Sequence, residues 1–302
     1  MHGGKEVSGT LLRVSAWIAV ALLLQTAVPA QRGSASWSLE LGQSFTSEAD
    51  LDHTSGRFSM GQSRMSAELG LELRLKERLE LGLSHEFRDY DFSANTGLPG
   101  GGSFDDAHRS RLSLGYQRVL DDDWAIFGHA SLGLQFEGGA DSGDAVVVGG
   151  VFGARYAIRS GLGLGLALFG VSRLEDDPWI FPIPILDWRV TRDLKVTTSR
   201  GITVEYELTD AGDLVLETEL LFDFFRFRLR DDSPVRAGVV EHQRLPWTLR
   251  LGYEPSPSVE VGVFLGLVLW QEIEIDDASG RKLGECSAGP AATLGFSVSL
   301  TI

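Results

Sequence analysis

His108 with Ser110 and His129 with Ser131 are two residues apart. In an extended chain each pair shares a face, so the imidazole could take a proton from the hydroxyl and free it to attack a lipid ester. That chemistry also needs a group to orient the imidazole, and no Asn or Asp is spaced to do so for either histidine. Serine-rich strands produce such pairs by chance, so the sequence does not read as an enzyme. His53, His85, His108, His129 and His242 lack the spacing of zinc ligands. The acidic runs Asp121-Asp122-Asp123, Glu175-Asp176-Asp177, Asp231-Asp232 and Asp276-Asp277 lack that of a calcium loop and read as solvated turns. Gly161-Leu162-Gly163-Leu164-Gly165 alternates along a strand and is not a phosphate loop. With Cys286 as the single cysteine there is neither an internal disulfide nor a cysteine metal site. No cofactor is implied.

The stronger signal is charge placed opposite oil. Leu69, Leu71, Leu73 and Leu75 alternate with Glu68, Gly70, Glu72 and Arg74, and after two turn residues Leu79, Leu81 and Leu83 alternate with Glu80, Gly82 and Ser84. Each is a strand with one apolar and one wet side, and together they form a hairpin. The pattern recurs to the closing run Leu294, Phe296, Val298, Leu300 and Ile302. Facing away from the apolar stripe in the first half are Glu72, Arg74, Glu80, Glu86, Arg88, Arg111 and Arg155. In the second half they are Lys195, Glu205, Glu207, Glu217, Glu219, Arg250 and Glu260. These fourteen are the expected lining of a lumen. It is either a water-filled pore with opposed charges or a space closed by a salt-bridge network.

Turns at residues 76–77, 121–123, 158–160, 191–193, 209–212 and 255–258 are short, whereas connections at 47–61, 91–105, 138–144, 230–238 and 276–287 are long. This asymmetry predicts an all-β, closed antiparallel transmembrane β-barrel with tight periplasmic turns and long outer loops. Trp124, Tyr156, Trp188, Tyr206 and Tyr253 lie beside short turns, where an interfacial aromatic ring belongs. A reversal near Ser199-Arg200-Gly201 makes the strand number even and sets it at about fourteen, although each half then has only about seven residues. Twelve is the alternative.

Leu174 to Asp193 breaks the alternation. Pro182 and Pro184 are two apart, so both lack a donor toward the same neighbouring strand and weaken one seam. The expectation is that they lie beyond the bilayer or against the lumen. One reading has Trp179 to Ile185 fold inward, with Trp179, Phe181, Pro182 and Pro184 as a constriction; the other has a protruding strand end whose prolines discourage edge pairing.

Lys5 and Arg13, the apolar run from Trp17 to Leu24, and small residues at Val28 and Ala30 read as an export signal over residues 1–30, leaving 31–302 as one barrel domain. The formal charge of −15 becomes one unit more negative without the leader, which excludes nucleic acid as a natural partner. The 36 glycines and only 10 prolines come with no linker-like stretch, consistent with one domain.

The proline segment, the tight reversal, the run from Ile202 to Leu208 and the closing Gly289-Pro290-Ala291-Ala292-Thr293-Leu294-Gly295-Phe296 resemble the domain of unknown function 6268 family, uncharacterised bacterial outer-membrane barrels. The resemblance covers roughly residues 176–302 and implies an outer-membrane barrel without supplying catalytic residues. The last strand also resembles the one read by the barrel insertion machinery, except that Ile302 stands where an aromatic residue is usual. The expected function is a passive or weakly selective pore for small polar solutes, with a structural closed-lumen barrel second and a lipid-acting enzyme third. Outer-membrane lipids and the insertion machinery are the expected partners.

Overall fold

Period-two alternation produces one antiparallel sheet that closes on itself in a computed structural model describing residues 35–302 apart from 53–54, 75, 94–95, 102–103 and 200. The expected leader lies outside the described residues. The strands are β1 (Ala35–Asp50), β2 (Arg57–Arg74), β3 (Glu77–Ser93), β4 (Asp106–Val119), β5 (Trp124–Glu137), β6 (Val146–Arg159), β7 (Leu162–Arg173) and β8 (Asp176–Arg189). They continue as β9 (Leu194–Thr198), β10 (Gly201–Glu207), β11 (Leu214–Leu221), β12 (Asp223–Arg228), β13 (Val239–Ser256), β14 (Val259–Asp276), β15 (Lys282–Ala288) and β16 (Ala291–Thr301). Sequence neighbours pair through most of the wall, and β1 closes the ring on β16 with Leu39 opposite Leu300.

Two of these strands continue others. β11 and β12 meet β13 in one register, with Leu220 opposite Trp247 and Asp223 opposite Arg244. β15 and β16 likewise share one register on β14, with Cys286 opposite Ile273 and Val298 opposite Val261. Counting each pair as one bent strand gives a fourteen-stranded barrel. The reversal expected near residue 200 is present: Ser199 N–H donates to the Gly201 carbonyl at 3.2 Å. Glycine is required there because a Cβ at 201 would run into the Leu220 carbonyl oxygen.

The outer face is apolar. Leu112, Leu132, Val148, Leu166 and Leu265 are each more than half exposed, an apolar band that a water-soluble sandwich would not leave uncovered and that lipid covers in a membrane barrel. Trp124, Tyr156, Trp188, Tyr206 and Tyr253 all lie on this face beside short turns. The Trp124 and Tyr156 rings meet at 5.0 Å.

β13 and β14 have 18 residues each, about 60 Å when extended, far more than the roughly 9–11 residues a tilted strand needs to span. Their far halves leave the bilayer and carry β12 and β15 with them. A bulge between Arg244 and Pro246 marks the bend, and proline suits it because it has no N–H to leave unpaired. The stretch 276–287, expected as an open loop, instead contains β15, because pairing to the overlong β14 gives it a ladder.

Beyond the bend the four strands fold across the barrel end opposite the short turns. One face carries Phe225 and Phe227 of β12, Val240 of β13, Ile273 and Ile275 of β14 and Cys286 of β15. It packs on Phe58 and Met60 of β2, Tyr90 of β3 and Phe104 in a single buried core. Burial there pushes the Cys286 thiol up to about 11, with Glu272 and Asp52 adding to the effect. At pH 8 the thiol is therefore protonated as well as covered.

Two outcomes follow. Folded protein in detergent should shift its gel mobility on boiling, whereas a mature chain that stays soluble and monomeric without detergent would contradict the barrel. Cys286 should resist maleimide at pH 8 until denaturant is added, and rapid labelling of the folded protein would show that the capping sheet is not packed.

Candidate functional site

The second face of the capping sheet is also buried, and charge holds it. Arg226 of β12 reaches Glu241 at 2.6 Å, Asp276 at 2.6 Å and the Leu174 carbonyl at 2.7 Å. Arg173 of β7 shares Glu241 at 2.7 Å. Arg228 donates to the Asp144 and Ala237 carbonyls and pairs with Glu175. β12 thus crosses the barrel interior, and Arg228 makes a parallel bridge to Phe136 of β5.

The underside of this cap is polar. Asp223 accepts from Arg88 at 2.8 Å and pairs with Arg244, while Arg88 also pairs with Glu86 at 2.6 Å. The Arg88 and Arg109 guanidinium groups each lie 4.3 Å from the Phe225 ring centre, adding cation–π attraction to the ion pairs. Below lies a cavity of about 1170 Å³. Glu86, Arg109, Arg111, Asp223 and Arg244 line one part of its wall, and Phe181, Ile183, Leu221 and Phe224 another.

Thirteen of the fourteen charged residues expected in the lumen fall on the inward face by strand register: Glu72 follows Glu86 and Arg88, and Lys195, Glu205, Glu217 and Arg250 stand in one cross-strand row, whereas Arg74 lies past a bulge and stands opposite Glu77, on the parity of the outward leucines. They do not form one site. Glu86, Arg111, Glu217, Glu219, Arg250 and Glu260 line the cavity. Arg88 is fully buried inside the cap's ion pairs, whereas Glu72, Arg74, Glu80, Arg155, Lys195 and Glu207 lie toward the short-turn end. There Arg155 pairs with Asp187 at 2.5 Å and Lys195 with Glu205 at 3.5 Å.

The proline segment corrects the sequence reading. β8 stays in the wall throughout, so Trp179 to Ile185 do not fold inward. Trp179 and Phe181 point inward with Val171 and Phe169 opposite, while Pro182 and Pro184 share the outer face with Leu168 and Leu166. The prolines thus stay in the barrel wall with their rings on the outer face, at the border of the cavity. β12 is the inward element. Its outward-parity residues Arg226 and Arg228 carried a readable signal, because arginine does not belong on a lipid face.

The histidine pairs also separate. Ser110 bonds His85 of the neighbouring strand at 2.9 Å, not His108. His108 is held by Asp106 at 3.0 Å, two residues away on the same face, which corrects the expectation that no acidic group was placed to orient it. His129 stands on the inward face opposite Gly115. Among the described residues, Glu272, Glu274 and Glu285 are close enough to hold a metal ion, but the Lys282 ammonium pairs with Glu274 at 2.7 Å and with Glu285, supplying positive charge there.

No family profile and no curated protein matches the sequence. The resemblance to the domain of unknown function 6268 family therefore rests on sequence patterns alone. The chain is similar in fold to solved outer-membrane channels. An outer membrane channel from Pseudomonas putida F1 aligns with TM-score 0.48 and 10% identity over 91% of this chain and 97% of that one. The Pseudomonas putida toluene transporter TodX aligns with TM-score 0.46 and 9% identity over 91% and 90%. The KdgM porin aligns with TM-score 0.38 and 10% identity over 87% and 98%.

Arg226→Ala would leave buried Asp276 without its cation and Glu241 with Arg173 alone, a loss of about 3–5 kcal/mol for a broken buried pair. The wall should survive, with unchanged heat-modifiable migration, while proteinase K gains access to residues 229–238. Cleavage no faster than in the parent protein would show that this network does not hold the cap.

Proposed function

We propose that the protein is a passive, weakly selective outer-membrane pore for small solutes. The observation that carries this reading is the cavity of about 1170 Å³ under the cap, enclosed by fourteen strands and lined by charged side chains. Such a wall keeps water in the lumen and biases ions by charge without binding one ligand. The apolar outer band and its aromatic ring at the short-turn end support an outer-membrane location, with lipids around the barrel and the insertion machinery acting on its closing strand.

Charge sets the expected selectivity. In the row around β10 to β14, Arg250 pairs with Glu260 and Lys195 with Glu205. Among the described residues no salt bridge holds Glu217 or Glu219, and both line the cavity. On this side of the lumen the surplus is negative and favours cations, while Arg64, Arg109 and Arg111 line the opposite side and keep the selectivity weak.

The packed cap supports a second reading, a structural barrel with a closed lumen. Single-channel recording in planar bilayers separates the two. The pore predicts discrete conductance steps and a reversal potential on the cation side in a salt gradient. That potential should move toward zero in Glu217→Gln with Glu219→Gln. Absence of conductance at every voltage would leave the structural barrel.

A further inference from the structure

The wall is not continuous at the proline segment. β9 meets β8 only at Asp187, Trp188 and Arg189. Above them the hairpin turns back, and the Thr198 hydroxyl ends the seam by accepting from Leu186 N–H at 2.8 Å and donating to the Pro184 carbonyl at 3.1 Å. Among the described residues no strand pairs with that edge of β8 from Asp176 to Leu186. On the far side, β10 stops pairing β11 at Leu221, and β12 has turned inward with Arg228 as its one pairing on the side away from β13. Two unpaired strand edges therefore face each other across a breach. Trp179 and Phe224 close its top with ring centres 4.6 Å apart, and the Arg173 guanidinium lies 4.7 Å from the Trp179 ring.

Height places the breach within the bilayer. Trp188 marks the aromatic ring at the short-turn end, and Pro184 to Ile180 lie four to eight residues further along β8. At about 3.3 Å per residue and a tilt of about 40°, that is roughly 10–20 Å above the ring, reaching the outer half of an apolar band about 25 Å tall. Unpaired backbone is costly in hydrocarbon and tolerable where it lines a water-filled cavity. Alternate residues of a strand present their peptide groups to the same edge, so Pro182 and Pro184 share the open edge with Leu186. Two donors are thus missing where no acceptor stands. Replacing both prolines by alanine would add donors that face no strand, so it would not stiffen a seam.

The rim is oily and the interior polar. Phe181, Ile183, Pro182, Pro184, Ile202 and Phe222 border the breach, and the same cavity reaches Arg111, Glu217 and Arg250. The cap narrows the axial route by laying its buried core over part of the outer mouth. We infer that the breach between β8 and the β11–β12 bend is a lateral portal, through which small, predominantly apolar molecules pass between the outer leaflet and the lumen. This rests on the pore reading and adds to the small polar solutes expected of the lumen a lateral route for apolar ones, since a molecule carrying fixed charge would not leave through the rim.

Contact with lipid chains tests it. Ile183 points inward by register, so a closed wall would shield it from acyl chains. Ile183→Cys is labelled with bimane and reconstituted in phosphatidylcholine vesicles that carry a nitroxide on an acyl carbon. Val151→Cys, inward on the continuous β6, is the reference. The portal predicts several-fold stronger acyl-nitroxide quenching at 183 than at 151, with both quenched by aqueous iodide. Equal, weak acyl quenching at the two sites overturns the portal. Phe181→Cys on the same face replaces Ile183→Cys if the latter loses heat-modifiable migration. Ion conductance of the same preparations tests the pore separately, so a conducting barrel without acyl quenching refutes the portal alone.

Discussion

A peptide group inside hydrocarbon has no water to bond, so each must be paired within the wall, and the architecture follows from that requirement. The alternating sequence supplies fourteen strands whose ladder closes when Leu39 of β1 meets Leu300 of β16. Closure removes the free edges that an open sheet would present, except along β8 and the β11–β12 bend, and period two then sends leucine and valine to the lipid and charge to the lumen.

The same requirement explains where the wall departs from uniformity. β13 and β14 run past the bilayer, and once outside it their polar groups can accept new partners. They gain β12 and β15, bend at Pro246, and bury two opposite faces of one sheet. One face is aromatic and aliphatic against β2 and β3, and the other is pinned by Arg226 to Glu241 and Asp276. A buried arginine with two carboxylates is a poor source of net stability, but it strongly penalises any arrangement that separates them. Drawing β12 inward leaves β8 without a neighbour, and that is where the chain places Pro182 and Pro184.

Much of this was legible in the sequence. The alternation around Leu69 and Leu79, the tight turns, the reversal at residue 201 and the inward parity of the charged residues all follow from local pattern. The short halves of the β9–β10 hairpin were visible too, but the consequence, a seam ending at Thr198, needed the register of three strands. Arg226 and Arg228 carried a local warning in their parity, yet Glu241 and Asp276 stand 15 and 50 residues from Arg226. No spacing rule reaches that far. His85 and Ser110 met for the same reason, as cross-strand neighbours 25 residues apart. Asp106 beside His108 was within reach, since a separation of two along a strand places side chains on one face.

One edge of β8 is unpaired from Asp176 to Leu186 while the other is laddered to β7 from Trp179 to Trp188, and residue-resolved amide hydrogen exchange in detergent micelles reads this most directly. Ile180 shares the parity of Pro182 and so directs its N–H to the open edge, whereas Phe181 and Ile183 direct theirs to β7. The account predicts rapid exchange at Ile180 with strong protection at Phe181 and Ile183. Protection at Ile180 equal to that of its two neighbours would contradict it and would mean that the wall is closed at the proline segment.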